Sequence, residues 1–485
     1  MMTHTQHYIG GTWQSSKPDT ILPVTNPATG GTISCIPMAS RTEVGRAVSI
    51  AHEAFLQWRR IPVSERIQYL FAFREKLNTH FEEIARSLTE ECGKTLSESR
   101  GELRRGIENV EVACGAPSLM QGYNNEDISR GIDEHIIRQP LGVVVVITPF
   151  NFPGMIPLWF LPYAIATGNC FILKPSEKTP QTAAWLIRLL DEVGLPLGVV
   201  QMLHGDKEVV DALIEHPGTR AISFVGSTPI ARYIYAKAAE HGKRVQCQGG
   251  ANNVVVILED AEIDSATEII AESAFGCAGQ RCLANRLAVT VGKSRETFTD
   301  AIVAVTRSRK VGYGLHETTE MGPMITPESR GDIEQFIKTS EKEGARIIVD
   351  GRGKTVDGFQ DGNWLFPTLI DNINPSGKLA KTEAFGPLLG LLHADDLDQA
   401  IKFVNSQSYG NMACLFTTSG AAARKFRYEA EAGNIGINVG VAAPMAFYPF
   451  GGSKDSFFGT LHAEGKHGFE FYTQTKHIVE RWPNS

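Results

Sequence analysis

Residues 141–175, LGVVVVITPFNFPGMIPLWFLPYAIATGNCFILKP, contain the pattern that decides the fold. An apolar strand at 143–147 precedes a helical stretch at 157–166, and a second apolar strand follows at 171–174. Strands this apolar that alternate with helices indicate a parallel sheet buried on both faces. The alternation continues with helices at 182–193, at 209–215 and after Ser227, and with strands at 199–203 and 221–225. We therefore predict an α/β fold, which by analogy is an architecture that binds nucleotides.

The stretch from 41 to 119 is largely helical in pattern, and two apolar stripes run along it. We expect amphipathic helices that cover the sheet. The acidic pairs Glu82-Glu83 and Glu90-Glu91 are predicted to lie on solvated helix faces. The first stripe consists of Val44, Ala47, Val48, Ala51 and Phe55, and the second of Ile67, Leu70, Phe71 and Leu77.

The bulk composition is that of a soluble globular protein. The chain has 485 residues, 42% of them hydrophobic, so two or three domains are expected. A net charge of -7 gives no electrostatic reason to expect nucleic acid or an anionic membrane as a partner. Prolines interrupt the apolar stretch 141–166, which argues against a membrane span.

The cysteines and the N-terminus indicate a reducing compartment. Eight cysteines occur without a CxxC pair or a disulfide-like spacing. The segment MMTHTQHYIGGTW lacks the basic and apolar regions of a secretory signal. We therefore expect a cytoplasmic protein.

Cys282 is the candidate nucleophile. It lies in SAFGCAGQRCLANRLAVTVG, residues 273–292, between a helical run and a strand. Gly276 and Gly279 break the chain there, which leaves backbone N–H groups free to stabilise an oxyanion beside the thiol. Arg281 is expected to lower the pKa of the thiol. The alternative is a buried, inert cysteine. A metal or redox pair with Cys277 is disfavoured because no histidine cluster follows, and we predict no metal.

Two motifs give the chain a family resemblance. FGCAGQRC and LGVVVVITPFNFP resemble the active-site segments of the aldehyde dehydrogenase superfamily, and the similarity runs from IGGTW at Ile9 to YTQTKHIVERW at the end. It implies that Cys282 attacks the aldehyde and that the Asn151 side chain holds the oxyanion. It also implies a Rossmann-type NAD-binding domain, an α/β catalytic domain and a small oligomerisation arm of a homodimer or homotetramer. The expected bounds are 1–119 and 141–248 for the first, 249–450 for the second, and 120–140 with 451–485 for the arm.

The cofactor residues follow partly from position and partly from the resemblance. No GxGxxG fingerprint is present, but Ser227 is placed to cap a helix whose N-terminus suits a pyrophosphate. Lys174 and Glu177 stand at a strand end, where the carboxylate would accept ribose hydroxyls and repel a 2′-phosphate, so NAD is favoured over NADP. The alternative is a surface lysine and a glutamate that stabilises a helix N-terminus. The resemblance adds Phe150, Gly226, Glu383 and Phe385 to the NAD site.

One branch, the methylmalonate semialdehyde dehydrogenases, resembles the chain further, in RRGIENVEVACGAPSLMQG and GGSKDSFFGTLHAEGKHG. Gln248 occupies the place of the glutamate that activates the deacylating water in common members, and an amide cannot take up that proton. The acyl group on Cys282 would therefore pass to a thiol such as coenzyme A. The alternative is that Gln248 only packs or positions water. This chain has Gly250-Ala251-Asn252-Asn253-Val254 where the branch has GAKNH, which bears on CoA use.

The same branch places two arginines on the substrate carboxylate, and the matching residues are Arg105 and Arg281. Guanidinium groups bind carboxylates through two parallel hydrogen bonds. The alternative for Arg105 is a salt bridge on a helix surface.

The predicted function is NAD-dependent, CoA-acylating oxidation of malonate or methylmalonate semialdehyde to acetyl-CoA or propionyl-CoA with loss of CO2. A thiohemiacetal and then a thioester form on Cys282. Two alternatives stay open: a dehydrogenase that hydrolyses the thioester to a free acid, and a catalytically silent structural protein on the same scaffold.

Overall fold

The structure is a computed structural model that describes residues 3–16 and 21–482. Its strands, in chain order, are β1 (Thr3–His4), β2 (His7–Ile9), β3 (Thr12–Gln14), β4 (Ile21–Thr25), β5 (Thr32–Pro37), β6 (Tyr123–Ser129), β7 (Ile132–Pro140), β8 (Val143–Ile147), β9 (Cys170–Lys174), β10 (Val200–Met202), β11 (Thr219–Val225), β12 (Arg244–Gln248), β13 (Asn253–Ile257), β14 (Asn285–Val291), β15 (Arg346–Val349), β16 (Thr368–Asp371), β17 (Leu388–Ala394), β18 (Tyr409–Gly410), β19 (Met412–Phe416), β20 (Asn434–Ile437), β21 (Ser453–Lys454), β22 (Phe457–Phe458) and β23 (Thr473–Glu480).

The helices, in the same order, are α1 (Arg41–Trp58), α2 (Val63–Thr79), α3 (Phe81–Cys92), α4 (Leu96–Ala113), α5 (Ala116–Leu119), α6 (Met155–Leu158), α7 (Leu161–Thr167), α8 (Pro180–Glu192), α9 (Lys207–Glu215), α10 (Thr228–Glu240), α11 (Ile263–Phe275), α12 (Ser294–Ser308), α13 (Pro327–Lys342), α14 (Lys378–Lys381), α15 (Leu397–Asn405), α16 (Gly420–Glu429) and α17 (Gly465–Phe471). A short 3₁₀ turn spans Gly276–Gly279.

The first sheet has the order β22-β12-β11-β8-β9-β10-β2-β3, and the run from β12 to β10 is parallel. Strands β8 and β9 are buried along their whole length. The chain builds outward from β8, through β9 and β10 on one side and through β11 and β12 on the other. Open α/β sheets bind ligands where the strand order reverses in this way, outside the carboxyl ends of the strands. The predicted parallel α/β architecture is confirmed.

The helical stretch predicted at 157–166 is two short helices, α6 and α7. Pro162 stands in the first turn of α7, where its missing N–H leaves no intrahelical acceptor unpaired. A proline there begins a helix but cannot continue one from α6. The predicted single helix is therefore wrong at this break.

The apolar stripes of α1 and α2 are largely buried, with two corrections. Phe71 is 46% exposed, and Phe73 occupies the core instead. Glu91 is fully buried, and its carboxylate accepts hydrogen bonds from the backbone N–H groups of Gln181 at 2.7 Å and Thr182 at 2.9 Å. The first N–H groups of a helix have no partner within the helix, so Glu91 supplies one for α8. The prediction of a solvated face is wrong for this residue.

The second sheet has the order β15-β16-β17-β14-β13-β19-β20 and is parallel except for β15. Cys282 precedes β14, and β13 begins just after the end of β12 in the first sheet. The thiol therefore lies between the carboxyl edge of the first sheet and the amino edge of the second.

A third, antiparallel sheet joins β6 and β7 to the chain's end through β23, with Thr473 opposite Pro140 and Glu480 opposite Asp133. Two short strands that precede β23 lie elsewhere: β22 extends the first sheet and β21 pairs with β18. Just before Thr473 the chain is helical: Phe469 lies in α17, with its ring centre 5.1 Å from that of Tyr163.

Within 3–16 and 21–482, no helix is both long and apolar enough to cross a membrane.

Candidate active site

Two cavities meet at Cys282, and a third space adjoins one of them. The arginine cavity, of about 400 Å³, is lined by Arg105, Arg281 and Cys282. The bridging cavity, of about 250 Å³, is lined by Cys282, Asn151, Glu383 and Phe385. The strand-end cleft, of about 570 Å³, shares Phe150 and Gly226 with the bridging cavity. The thiol therefore faces both an arginine-lined space and the edge of the parallel sheet.

The loop that carries Cys282 is held in an unusual backbone conformation. Cys277 and Ala278 have left-handed φ angles of 53° and 51°, and Gly279 has a φ of 66°. A Cβ on Gly279 would lie 2.0 Å from the carbonyl oxygen of Gly386, so only glycine fits there. Such strained conformations persist only when surrounding contacts fix them.

Two asparagines and an arginine supply those contacts. The side-chain amides of Asn253 and Asn411 donate to the carbonyl oxygen of Cys282 at 2.8 and 3.0 Å. The buried guanidinium of Arg286 donates to the carbonyl oxygens of Gly279 and Gly386, and so ties the Cys282 loop to the segment that carries Glu383. The position of the nucleophile is fixed from three directions.

The surroundings of the Cys282 thiol favour its protonated form. Burial, followed by the negative charge of Glu383, raises its pKa to about 12. Arg281 and the backbone N–H groups of Cys282 and Leu283 act in the opposite direction without outweighing burial. The expected net lowering of the thiol pKa by Arg281 is therefore wrong, although the sign of the arginine's own effect is as predicted.

Asn151 stands where the oxyanion prediction requires it. It is 5% exposed, lines the bridging cavity with Cys282, and donates from its side-chain amide to the carbonyl oxygen of Gln280 at 3.0 Å. A side-chain amide has two N–H donors. One N–H thus orients the amide, and the second is free for a carbonyl oxygen bound beside the thiol.

Lys174 and Glu177 both line the strand-end cleft, as the cofactor prediction requires. The Lys174 ammonium lies 3.3 Å from the Glu177 carboxylate. Burial opposes ionisation of Glu177, but the charge of Lys174 and hydrogen bonds hold its pKa below the usual range. The carboxylate is therefore ionised and able to accept hydroxyl groups at the carboxyl end of β9.

Ser227 takes the N-cap position of α10, but its hydroxyl makes no capping hydrogen bond. The side chain is exposed, so water competes for it. The predicted side-chain cap is wrong, and the N-terminus of α10, where Pro229 has no N–H, lies beside the strand-end cleft.

Glu383 and Phe385 lie where the resemblance places them, on the wall of the bridging cavity. Burial raises the pKa of Glu383 to about 7. The backbone N–H of Ala251, which donates to the carboxyl at 2.9 Å, and the charge of Arg286 act in the opposite direction. The ring of Phe385 meets that of Phe150 edge to face, with centres 6.0 Å apart. The two rings and the carboxyl form one side of a slot next to Cys282.

The two arginines differ in how much of each guanidinium is engaged. Among the residues that the structure describes, Arg281 donates only to the Cys277 sulfur, at 3.5 Å, and its other N–H donors are available. Arg105 forms a 3.0 Å ion pair with Glu108 and donates to the Pro444 carbonyl oxygen. The alternative prediction of a helix salt bridge for Arg105 is thus realised, while the residue also lines the cavity.

Gln248 ends β12 and is buried, with its side-chain amide donating to the carbonyl oxygen of Phe450 at 3.2 Å. Phe450 and Cys282 both line the arginine cavity. The amide is therefore a packing and positioning group in this structure, and it offers no proton acceptor of carboxylate strength.

Comparison with known proteins places this geometry in a family, since residues 13–478 match the aldehyde dehydrogenase family. The chain belongs to the aldehyde dehydrogenase family. Among curated relatives, a malonate-semialdehyde dehydrogenase of Halalkalibacterium halodurans is 46% identical over 477 residues, which is 98% of each chain. Malonate-semialdehyde dehydrogenase 2 of Geobacillus kaustophilus is 45% identical over 98% of each.

Solved structures agree with this aldehyde dehydrogenase over its whole length. Methylmalonate-semialdehyde dehydrogenase from Oceanimonas doudoroffii superimposes with a TM-score of 0.98 at 41% identity, covering 100% of this chain and 99% of the other. A protein of Sinorhizobium meliloti 1021, described as a methylmalonate-semialdehyde dehydrogenase and complexed with NAD, gives a TM-score of 0.98 at 39% identity with the same coverage.

Sequence reasoning missed several charged residues of this aldehyde dehydrogenase that lie at the site. Lys94, Glu102 and Arg286 are buried beside the Asn151 and Cys282 loops, and Glu464 is a buried carboxyl of the arginine cavity. Burial raises the pKa of Glu464 to about 8. Lys94, Glu102 and Glu464 stand in polar stretches of sequence, so no hydrophobic pattern marks them as buried.

Proposed function

We propose that this aldehyde dehydrogenase oxidises malonate or methylmalonate semialdehyde with NAD and transfers the acyl group to coenzyme A, with loss of CO2. The observation that carries the proposal is the place of Cys282, between a cavity lined by two arginines and a slot lined by Glu383 and Phe385. A charged substrate and a nicotinamide could thus reach one sulfur from opposite sides. The relatives' names point to the same substrates.

Acylation uses the sulfur and the neighbouring N–H donors. The Cys282 thiol loses its proton to solvent and the resulting thiolate adds to the aldehyde carbon, so that the oxyanion accepts hydrogen bonds from the Asn151 amide and the Cys282 backbone N–H. NAD, which Lys174, Glu177, Glu383 and Phe385 would hold, would accept a hydride from that carbon, and a thioester would then remain on the sulfur. Donors fixed before the reaction stabilise the developing charge without reorganisation.

The substrate carboxylate is assigned to Arg281 first and to Arg105 second. Arg281 keeps several N–H donors unengaged, whereas Arg105 is partly neutralised by Glu108. A planar guanidinium binds a carboxylate with two parallel hydrogen bonds. A carboxylate held there and an aldehyde carbon at Cys282 define a short semialdehyde. In the resulting thioester the carboxylate is bonded to the α-carbon: that bond breaks with release of CO2, its electron pair stays on the α-carbon, where the thioester carbonyl delocalises it, and the α-carbon takes up a proton.

Deacylation by an external thiol is supported by the ion pairs and hydrogen bonds that already engage the carboxylates of the arginine cavity. Glu102 is paired with Lys94, Glu98 accepts the Cys277 N–H, and Glu272 is paired with Arg309 at 2.6 Å. Gln248 cannot act as a base. Glu383 and Glu464 accept hydrogen bonds from the Ala251 backbone N–H and the Asn109 side-chain amide. Each carboxyl group that lines the two cavities at Cys282 is therefore engaged by another group of the protein, while the thiolate of coenzyme A needs no general base.

Product analysis tests this function. The purified enzyme is given malonate, methylmalonate and succinate semialdehydes and propionaldehyde, each with NAD and with or without coenzyme A, and acyl-CoA, free acid and CO2 are quantified. We expect acyl-CoA and CO2 from malonate and methylmalonate semialdehydes, and little product when coenzyme A is absent. Steady formation of free acid would establish the hydrolytic alternative instead. Lack of NADH with every aldehyde, together with no iodoacetamide labelling of Cys282, would establish a catalytically silent protein.

We further propose that copies of the chain associate through the sheet β23-β7-β6 as a homodimer or homotetramer in the cytoplasm. The outer strand β6 is exposed along its whole length, and an exposed strand edge is a template for pairing. All eight cysteines are free thiols, as a reducing compartment favours. Sedimentation of the intact protein and of a variant with prolines in β6 tests the association.

A further inference from the structure

A buried ion pair lies directly behind the loop that carries Asn151. Lys94 and Glu102 have side-chain exposures of 1% and 0%, and the Lys94 ammonium lies 2.6 Å from the Glu102 carboxylate. Burial works against the charge of Lys94, but Glu102, with Cys277 and Cys92, raises its pKa above the usual range. The lysine is therefore a fixed cation at every working pH.

The pair is bound to the loop at both ends. Lys94 donates to the carbonyl oxygen of Asn151 itself at 2.5 Å, and its ammonium lies 4.0 Å from the centre of the Phe152 ring. Glu102 accepts the backbone N–H groups of Gly154 at 2.7 Å and Met155 at 3.0 Å with its other oxygen. The two side chains thus hold the chain immediately before and after the turn that aims the Asn151 amide.

Stability alone does not account for such a pair. Removing two charges from water costs several kcal/mol per ion, and well-packed apolar replacements of a buried pair are often neutral or stabilising. What an apolar pair cannot reproduce is the set of three backbone hydrogen bonds. A displacement of about 1 Å at a group that binds the reacting atoms can cost roughly 10²-fold in rate.

We infer that Lys94 and Glu102 are positioning residues for the oxyanion donor, and that they set the rate of acylation through Asn151. The inference rests on the proposed chemistry at Cys282. Neither residue is assigned contact with the aldehyde carbon. Loss of either would leave cofactor binding intact and slow only the step in which the carbonyl oxygen becomes negative.

A double-mutant cycle on the burst of NADH formation tests the inference. Lys94→Met is expected to slow the burst about 10–100-fold with little change in the KM for NAD. In an Asn151→Ala background the same change should slow it less than about 3-fold, because the donor it positions is gone. Equal slowing in both backgrounds would mean that the pair acts without Asn151, and it would overturn the inference.

Matched variants separate positioning from folding. Arg66→Met removes another buried cation, which donates to the carbonyl oxygens of Ala166 and Ile61 away from the thiol, and should leave the burst rate unchanged. Glu102→Gln keeps an oxygen that accepts the N–H groups of Gly154 and Met155, and it is the second variant to measure if Lys94→Met does not fold. It should slow the burst, but less than Lys94→Met does. A Glu102→Gln burst at the wild-type rate would contradict the inference. Asn151→Ala alone, if fully active, would instead contradict the proposed chemistry.

Discussion

The strand-end cleft and the arginine cavity are built in different ways. The cleft collects residues that follow the strands β8, β9 and β11, so its Lys174, Glu177 and Gly226 lie together because parallel strands end at one edge. The arginine cavity draws Arg105 from α4, Arg281 from the Cys282 loop and Glu464 from the tail. The geometry of the cleft thus follows from topology, whereas that of the arginine cavity depends on pairings between distant segments.

The largest effect should come from Asn151, the proposed oxyanion donor, which lines the bridging cavity with Cys282. Asn151→Ala is expected to lower the rate of the NADH burst about 10²–10³-fold, since one preformed N–H donor to the developing oxyanion is lost. Stopped-flow absorbance at saturating NAD measures it. Asn151→Asp, which replaces the donor with an acceptor, should be at least as slow. A burst within a factor of three of wild type for either variant would remove Asn151 from the chemistry.

Next in size is a change confined to the arginine cavity. Arg281→Met should lower kcat/KM for malonate semialdehyde about 10–100-fold, because a hydrogen-bonded charge pair contributes roughly 1.5–3 kcal/mol. Propionaldehyde, which has no carboxylate, should be oxidised at close to the wild-type rate. Arg105→Met is the companion variant, and its effect should be smaller because Glu108 already engages that guanidinium. Equal losses for both aldehydes would mean that Arg281 positions the loop rather than the substrate.

A smaller change is expected in the strand-end cleft. Glu177→Gln should raise the KM for NAD up to about tenfold and improve the use of NADP, because the amide no longer repels a 2′-phosphate and accepts ribose hydroxyls less strongly. The kcat with saturating NAD should stay near wild type. Steady-state titration with both cofactors measures the change, and an unaltered NAD to NADP preference would count against Glu177 as the selecting residue.

Glu464→Gln should have the smallest effect on activity, but it should clearly change how stability depends on pH. The pKa of the Glu464 carboxyl is about 8 in the folded protein, against a usual value of 4.5. At a pH between these two values the carboxyl is protonated in the folded state and ionised in the unfolded state. The free energy of unfolding should therefore fall as pH rises from about 4.5 to about 8. Glu464→Gln should remove part of that fall, by about 1–3 kcal/mol at pH 9 relative to pH 5.

Urea unfolding at pH 5, 7 and 9 measures this, with the exposed Glu240→Gln as the control that should not alter the slope. If the Glu464→Gln variant loses stability with pH as steeply as wild type, the carboxyl is not held protonated by burial.

Sequence reasoning reached the cleft more completely than the cavity. The strands β8 and β9 are recognisable in the sequence as apolar runs. Cys282, Asn151 and Glu383 lie in motifs with a strong family resemblance. Lys94, Glu102 and Glu464 carry no such mark, because a charged residue in a polar stretch is ordinarily solvated and only a distant partner makes its burial tolerable. The same reason explains the error at Glu91, whose partners on α8 lie about ninety residues away.

The central claim, that the acyl group on Cys282 needs an external thiol, is tested most directly by stopped-flow NADH formation from malonate semialdehyde without coenzyme A. The account predicts a burst close to one NADH per active site followed by near arrest, and resumed turnover when coenzyme A is added. Undiminished NADH formation without coenzyme A, with free acid as the product, would contradict it.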